Sequence, residues 1–369
     1  ATCALPALQR ACQRPLNIET AKVVLGTTGI TVSAFGLGVM TYGGQTPQDD
    51  AMRQLDLAFA SGITLFDTAE NYPTPLKAET QGRSEEILGS WIATRGLRGK
   101  VVIATKVAGP NGAGMSLDYL RGPNRRLDRT NIAMAIDASL KRLGTDCIDL
   151  YQVHWPERAI TTLGRSRFSQ VAEDPVQISI EETLDALGEW VRAGKVRAVG
   201  VCNESPWGVM RYLKAADQGA APRVASIQNG YSLLDRSFEL GLAEVSMREQ
   251  FGLIAYSPLA GGTLTGKYGS DPGPIAGSRS SDSAAFLSRF TPERQKAIAA
   301  YTQLARDHGM EPAHMALAFA RSQPFMTSVL MAASSVSQLE SNLGAIDLAV
   351  PKDLAKAINA VHDAHPNPR

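Results

Sequence analysis

The sequence has few cysteines, no long apolar run and almost no excess charge of either sign. The four cysteines among 369 residues (Cys3, Cys12, Cys147 and Cys202) have neither CxxC nor Cys/His ligand spacing, so neither a disulfide framework nor a metal site is expected. Such sparse cysteine usage is typical of a reducing compartment. No stretch reaches the ~20 apolar residues of a bilayer span, which argues against membrane insertion. With 37 basic and 36 acidic residues, no global charge attracts nucleic acid.

Residues 1–20 differ from the rest of the chain. Residues 1–17 contain no acidic residue and carry Arg10 and Arg14. We interpret this segment as an N-terminal extension that is either a disordered terminus or the remnant of an organelle-targeting segment. The expected location is the cytoplasm, with a plastid or another organelle as the alternative.

Short apolar runs recur along residues 21–369, which we predict to form one domain. Val23–Leu25 and Ile30–Val32 flank a glycine-containing turn and predict a β-hairpin. Eight further runs then predict strands, at Ala34–Val39, Ile63–Phe66, Val101–Thr105, Ile148–Val153, Val196–Val201, Val224–Ile227, Leu253–Ala255 and Val329–Ala333.

Amphipathic helix patterns fill the gaps between these runs. Apolar residues recur at +3 or +4 and stop at a glycine, as in Ile132, Ile136, Leu140 and Leu143 before Gly144. Similar patterns end at Gly62 and Gly194. Eight βα units in one series predict a closed (β/α)8 TIM barrel, an α/β fold. A doubly wound open sheet is the alternative, but no GxGxxG fingerprint supports it.

Three connections that follow predicted strands are long, at about 108–128, 155–180 and 258–292. In a barrel all three lie on the C-terminal face, where active sites form. The first two connections contain six arginines, namely Arg121, Arg125, Arg126, Arg158, Arg165 and Arg167. They could bind an anionic substrate, but we favour the interpretation that they are ordinary solvated surface residues.

Polar residues end three of the strand runs. Asp67 and Tyr72 follow Ile63–Phe66, Lys106 closes Val101–Thr105, and His154 closes Ile148–Val153. Because neighbouring strands lie ~4.8 Å apart, these side chains are predicted to converge. Tyrosine is a weak acid, so a catalytic Tyr72 needs a cation such as Lys106, which Asp67 holds and keeps charged.

Together the four residues suit proton donation to an alkoxide as a hydride arrives, with His154 positioning the substrate oxygen. Taken singly, each also has a purely structural interpretation. Asp67 could form a turn and Tyr72 could pack against its neighbours. Lys106 could reach solvent, and His154 could be a hydrogen-bonded core histidine.

Several runs resemble those of the aldo-keto reductases, from about Val23 to about Val361. They are Phe66-Asp-Thr-Ala-Glu-Asn-Tyr72, Ala104-Thr-Lys106, Ser139-Leu-Lys-Arg-Leu-Gly-Thr-Asp146, Asp149-Leu-Tyr-Gln-Val-His154 and Gly200-Val-Cys-Asn203. Within that family the chain is similar to the bacterial Tas-like reductases and their plant relatives, through Glu79-Thr-Gln-Gly82, His154-Trp-Pro156 and Arg236-Ser-Phe-Glu239.

The resemblance implies an NADP(H)-dependent oxidoreductase that reduces a small-molecule aldehyde or ketone. It implies Tyr72 as general acid, Lys106 and Asp67 as groups that tune its pKa, and His154 as the residue that orients the carbonyl.

The resemblance also implies a set of cofactor-binding residues. These are Val39, Met40, Asp67, Asn203, Gln228, Tyr256, Ser257, Pro258, Leu259, Ala260, Gly261, Lys267, Ser334, Gln338 and Asn342. Ala332, Ser341 and Cys202 depart from the usual family residues. Gly261-x-x-x-x-Gly266-Lys267 imitates a Walker A loop, but Tyr268 stands where Mg²⁺ binding requires Ser or Thr.

Two other functions remain open at this stage. One is a cofactor-binding regulatory or structural subunit of a larger assembly that acts as a redox sensor; the retained His154 favours catalysis over this role. The other is a Schiff-base aldolase with Lys106 as nucleophile, which the adjacent Asp67 disfavours because it keeps the amine protonated.

Overall fold

The computed structural model describes most of the chain downstream of the N-terminal extension. The described residues are 21–111, 117–159, 177–219, 221–269, 273–275, 280 and 284–368. The predicted extension 1–20 and two of the loop arginines, Arg165 and Arg167, lie outside these ranges.

The predicted N-terminal hairpin is present and closes the bottom of the barrel. Strands β1 (Lys22–Val24) and β2 (Thr31–Ser33) pair antiparallel. The connecting Leu25 and Ile30 are buried and join a cluster with apolar residues of the barrel strands, among them Leu65 and Val102. Gly26 has φ +53°, and a Cβ there would lie 2.6 Å from the Ala225 carbonyl oxygen, so the close approach requires glycine.

Eight parallel strands form one closed barrel, as the alternating pattern predicts. In order they are β3 (Phe35–Gly38), β4 (Leu65–Asp67), β5 (Val102–Val107), β6 (Ile148–Val153), β7 (Val196–Cys202), β8 (Val224–Gly230), β9 (Gly252–Tyr256) and β10 (Met326–Met331). β10 pairs with β3 and completes the ring. The open-sheet alternative is therefore wrong.

Helices surround the barrel and follow its strands. They are α1 (Gln48–Ala60), α2 (Arg83–Arg95), α3 (Arg129–Leu143), α4 (Ile180–Arg192), α5 (Pro206–Gln218), α6 (Leu242–Glu249), α7 (Ala284–Leu287), α8 (Pro292–Asp307), α9 (Pro312–Arg321), α10 (Val336–Leu343) and α11 (Lys352–Ala364). Gly62, Gly144 and Gly194 adopt positive φ at the predicted helix ends. Within the described ranges, no helix has the length and apolarity needed to cross a membrane.

The barrel orients every strand with its C-terminal end toward the same face. Short strand-to-helix connections and the long loops meet there, so residues that follow β4, β5 and β6 are neighbours in space despite lying 30–90 positions apart in sequence. This arrangement sets the position of the candidate site.

Candidate active site

The four predicted polar residues come together at the C-terminal mouth of the barrel. Asp67 is the last residue of β4, Lys106 lies near the end of β5, and His154 directly follows β6. Tyr72 lies on the loop after β4 and lines the same cleft as Asp67 and His154.

A buried ion pair forms the base of the site. The Lys106 Nζ is fully buried and donates to Asp67 Oδ2 at 2.6 Å and to the Thr68 carbonyl oxygen at 2.7 Å. Burial lowers the pKa of Lys106, but the adjacent Asp67 carboxylate outweighs it and raises the pKa above its ordinary value. The lysine is therefore a permanent cation.

Two glutamines hold the second carboxylate oxygen of Asp67. Gln228 Nε2 donates to Asp67 Oδ1 at 2.8 Å and Gln152 Nε2 donates at 3.2 Å. Sequence reasoning missed Gln152. It lies two residues before His154 on β6, and because alternate strand residues share a face, this spacing indicates an inward-facing position. Both oxygens of the carboxylate are thus satisfied inside the barrel.

Tyr72 and His154 lie above the ion pair. The Tyr72 hydroxyl is 3.5 Å from His154 Nε2, and Lys106 Nζ is 5.2 Å from the centroid of the Tyr72 ring. Burial, and then the nearby Lys106 charge, hold the pKa of His154 well below its ordinary value, so the imidazole is neutral at neutral pH. Asn71 Oδ1 lies 3.1 Å from the other ring nitrogen, Nδ1. A phenol beside a fixed cation and a neutral imidazole is suited to giving up a proton.

A cleft of about 590 Å³ opens beside these residues. Most of the predicted cofactor residues line it, namely Met40, Asp67, Asn203, Gln228, Tyr256, Ser257, Pro258, Leu259, Gly261, Lys267, Ser334, Gln338 and Asn342. Val39 and Ala260 do not. Val39 is fully buried, and its N–H and carbonyl oxygen already bond to Asp67 and Ser84.

Other lining residues were not predicted from the sequence. They are Gly38, Thr41, Gln45, Cys202, Gly262, Thr265, Glu311, Ala313, Leu317, Leu330, Met331, Ala332, Ala333 and Ser341. Those of β10 and α9 reach the cleft because β10 pairs with β3 and closes the barrel, and no sequence motif marks them individually. Cys202 carried a signal, since it directly precedes the predicted Asn203.

The loop after β9 has an unusual backbone. Gly261 and Gly262 have φ +73° and +93°, while the non-glycine residues Ser257 and Ala260 also have positive φ, at +55° and +49°. Strained backbone of this kind accumulates at ligand sites. Gly262 lies beside Lys267, since a Cβ there would be 3.3 Å from Lys267 Nζ, and its φ of +93° favours glycine.

This loop is not a Walker A loop. It follows β9, the seventh strand of the barrel, rather than leading into the helix of a nucleotide-binding α/β sheet. Tyr268, the residue after Lys267, is buried against Phe286 and Phe290, whose ring centroids lie 5.5 and 5.4 Å from its own. It therefore packs under the loop and does not face a metal-bound phosphate.

Hydrogen bonds connect two of the predicted cofactor residues, Tyr256 and Asn203, to the backbone of His154. The Tyr256 hydroxyl donates to Asn203 Oδ1 at 2.7 Å, and Asn203 Nδ2 donates to the His154 carbonyl oxygen at 2.9 Å. Asn203 has φ +54°, a conformation that asparagine tolerates better than most residues. The aromatic face of Tyr256 is thereby fixed beside the cleft.

The segment after β10 leads into the N-terminus of α10. Ser335 is its capping residue and accepts from the Gln338 N–H, while the Ser334 hydroxyl donates to Gln338 Oε1 at 3.1 Å. The free N–H groups of a helix N-terminus and two polar side chains thus face one end of the cleft, an arrangement that suits a phosphate group.

The described loop arginines all bond to other parts of the protein, and the buried Arg125 corrects the expectation of a solvated surface position. Arg121 pairs with the buried Glu70, with NH2 2.8 Å from Oε1. Arg125 is 1% exposed and donates to backbone carbonyls, including that of Leu117 at 2.7 Å. Arg126 pairs with Glu157 at 3.0 Å, and Arg158 pairs with Glu204. Their role is to fasten the loops of the C-terminal face.

Metal binding has no support among the residues that the structure describes. No group of three or more His, Cys, Asp and Glu side chains there is arranged to hold an ion.

Comparison with known proteins agrees with the geometry. Residues 34–363 match the model of the aldo/keto reductase family. The chain is 48% identical to protein Tas of Escherichia coli K12 over 345 residues, covering 92% of this chain and 97% of that protein. It is 35% identical to an aldo-keto reductase of Babesia bovis over 276 residues, covering 71% and 96%. It is also 29% identical to L-glyceraldehyde 3-phosphate reductase of Escherichia coli K12 over 334 residues, covering 87% and 86%. The chain therefore belongs to the aldo/keto reductase family of oxidoreductases.

Proposed function

We propose that the protein is an NADP(H)-dependent reductase that converts a small aldehyde or ketone to an alcohol, with Tyr72 as the proton donor. One observation carries the proposal: a phenol, a neutral imidazole and a buried lysine–aspartate pair meet at the edge of a cleft of about 590 Å³. The retained His154 at this site favours catalysis over the regulatory subunit.

The residues of the cleft fit a nicotinamide dinucleotide. Asn203 and Gln228 would hold the carboxamide, and Tyr256 would stack on the ring. The loop from Ser257 to Gly261, with Lys267, would hold the pyrophosphate, and Ser334 to Asn342 would hold the adenosine end. When bound, the reduced cofactor supplies a hydride.

The chain's own residues then manage the proton. Asp67 fixes the Lys106 ammonium, and the ammonium stabilises the phenolate that remains when Tyr72 protonates the developing alkoxide. His154 orients the reacting groups from the opposite side of the hydroxyl. Because Lys106 is fully buried and held as a cation by Asp67, it is a poor nucleophile, which argues against the Schiff-base aldolase.

The substrate is a neutral carbonyl compound in our proposal. The relative named for L-glyceraldehyde 3-phosphate acts on a phosphorylated aldehyde, but in this chain the described loop arginines already bond to carboxylates and backbone carbonyls. The proposed location is the cytoplasm, and its support is that Cys147 and Cys202 are both free thiols.

The test is a fluorescence titration with NADPH and NADH, followed by a carbonyl panel that includes neutral and phosphorylated aldehydes. We expect NADPH binding and turnover of neutral aldehydes or ketones. Tight NADPH binding with negligible turnover of every carbonyl would reject the reductase and favour the redox-sensing subunit.

A further inference from the structure

Asn71 contacts the nitrogen of His154 that faces away from Tyr72. Its Oδ1 lies 3.1 Å from His154 Nδ1, and both residues are buried, with 3% and 8% of their surfaces exposed. Since Nε2 faces the Tyr72 hydroxyl at 3.5 Å, each ring nitrogen has one polar neighbour. The hydrogen-bond partner of Nδ1 therefore determines whether Nε2 donates or accepts a hydrogen bond in the active site.

A neutral imidazole carries one N–H, on either nitrogen. With the Asn71 oxygen toward Nδ1, the proton resides on Nδ1 and Nε2 is an acceptor for the Tyr72 hydroxyl. In this form His154 has no hydrogen to donate to a substrate oxygen. The opposite tautomer, with the proton on Nε2, is the donor.

A carboxamide can stabilise either tautomer. Its oxygen accepts from Nδ1–H, and after a half-turn about the Cβ–Cγ bond its NH2 group donates to a bare Nδ1. The turn exchanges the positions of Oδ1 and Nδ2 and leaves the backbone torsion angles unchanged. Aspartate, which has the same shape, offers only acceptors when ionised.

We propose that Asn71 is a positioning residue that lets His154 exchange tautomers, accepting from Tyr72 in the resting site and donating to the carbonyl oxygen when substrate is bound. The inference rests on the proposed carbonyl reduction. The titratable group in contact with His154 is Tyr72, from the loop after β4. The Lys106 charge of β5, which is paired with Asp67 of β4, also acts on the imidazole, and Cys202 of β7 and Tyr256 of β9 line the same cleft. All of them remain unchanged in the variants below.

The test compares Asn71→Asp with Asn71→Leu, two substitutions of similar size. The carboxylate raises the pKa of His154. Below that pKa the imidazolium carries both hydrogens and can donate, whereas above it the neutral ring is locked with its proton on Nδ1. We therefore expect kcat/KM of Asn71→Asp, relative to wild type, to fall about tenfold per pH unit above the new pKa. Leucine favours neither tautomer, so the kcat/KM of Asn71→Leu should be lower than that of the wild type by a factor that does not depend on pH.

Nitrogen-15 NMR of the imidazole rings gives a readout that does not depend on turnover. His154→Gln identifies the His154 signals, and the exposed His308 serves as an internal reference. In the wild type and in Asn71→Leu, His154 should stay neutral over the range in which it titrates in Asn71→Asp.

Two results would overturn the inference. The first is that His154 in Asn71→Asp titrates at the same pH as in the wild type. The second is that the kcat/KM of Asn71→Asp, relative to wild type, stays constant over the pH range in which His154 titrates in that variant. If the wild type itself reduces no carbonyl, the proposed function fails, and the titration alone decides whether Asn71 governs His154.

Discussion

Replacement of Lys106 by methionine removes the buried ammonium and keeps a side chain of similar length. In the wild type, Lys106 Nζ bonds to Asp67 Oδ2 at 2.6 Å and lies 5.2 Å from the centre of the Tyr72 ring. The variant therefore changes two quantities that can be measured separately, the free energy of unfolding and the ability of Tyr72 to release its proton.

The loss of stability comes from the stranded Asp67 carboxylate. Removing one partner of a buried pair costs ~3–5 kcal/mol, and we expect the lower end, about 3 kcal/mol. The reason is that Gln152 and Gln228 still donate to Asp67 Oδ1.

The loss of rate comes from the missing cation. At an effective dielectric constant of ~20 and the 5.2 Å distance to the ring centre, the charge stabilises the phenolate by about 3 kcal/mol. The expected fall in kcat/KM is on the order of 100-fold, with the pH dependence of proton donation moved to higher pH.

The assay combines urea unfolding with a pH profile of kcat/KM for a neutral aldehyde. The control is the double variant Asp67→Asn with Lys106→Met, which removes both charges of this pair. It should recover most of the lost unfolding free energy but none of the rate. The reasoning would be refuted if Lys106→Met alone kept kcat/KM within about threefold of the wild type at every pH.

Three further perturbations test other parts of the site. Because burial and the Lys106 charge depress the pKa of His154 in the folded protein, the unfolded chain binds a proton that the folded one does not. The wild type should therefore lose about 1.4 kcal/mol of unfolding free energy per pH unit as the pH falls below ~6.5. His154→Gln should lose less over the same window in urea unfolding, and equal slopes would contradict the assigned burial. Arg121→Met should cost ~3–5 kcal/mol because it strands the buried Glu70, and also reduce turnover because Glu70 lies two residues before Tyr72. Unchanged thermal unfolding would show that the pair does not hold the loop. Burial raises the pKa of Cys202 to about 12, so its thiol should resist alkylation by iodoacetamide in the native protein and react after unfolding, with Cys202→Ser identifying the modified site by mass spectrometry. Rapid labelling of Cys202 in the native state would disagree.

The barrel was predictable from the sequence because its information is local. Each buried strand is a short apolar run, each helix repeats at +3 or +4, and glycines such as Gly144 mark the helix ends. The strand boundaries were less accurate. The eighth barrel strand was expected at Val329–Ala333 but lies at Met326–Met331, because Ala332 and Ala333 leave the sheet to line the cleft.

The convergence of the four catalytic candidates was also predictable, since parallel neighbouring strands bring their ends together. The residues that bond to these candidates from across the barrel or from another loop could not be predicted. Gln152 contacts Asp67 from two strands away, and Asn71 contacts His154 from another loop. The arginine interpretation failed for the same reason, because the buried acceptors of Arg121 and Arg125 are fixed by loop packing and not by sequence spacing.

The most direct measurement of the central claim is a single-turnover experiment on Tyr72→Phe with saturating NADPH and a carbonyl that the wild type reduces. The substitution removes only the hydroxyl that lies beside His154 and above the Lys106–Asp67 pair. We predict unchanged NADPH affinity and a rate of carbonyl reduction lower by ~10²–10⁴-fold. Reduction by Tyr72→Phe at the wild-type rate would contradict the assignment of Tyr72 as the proton donor.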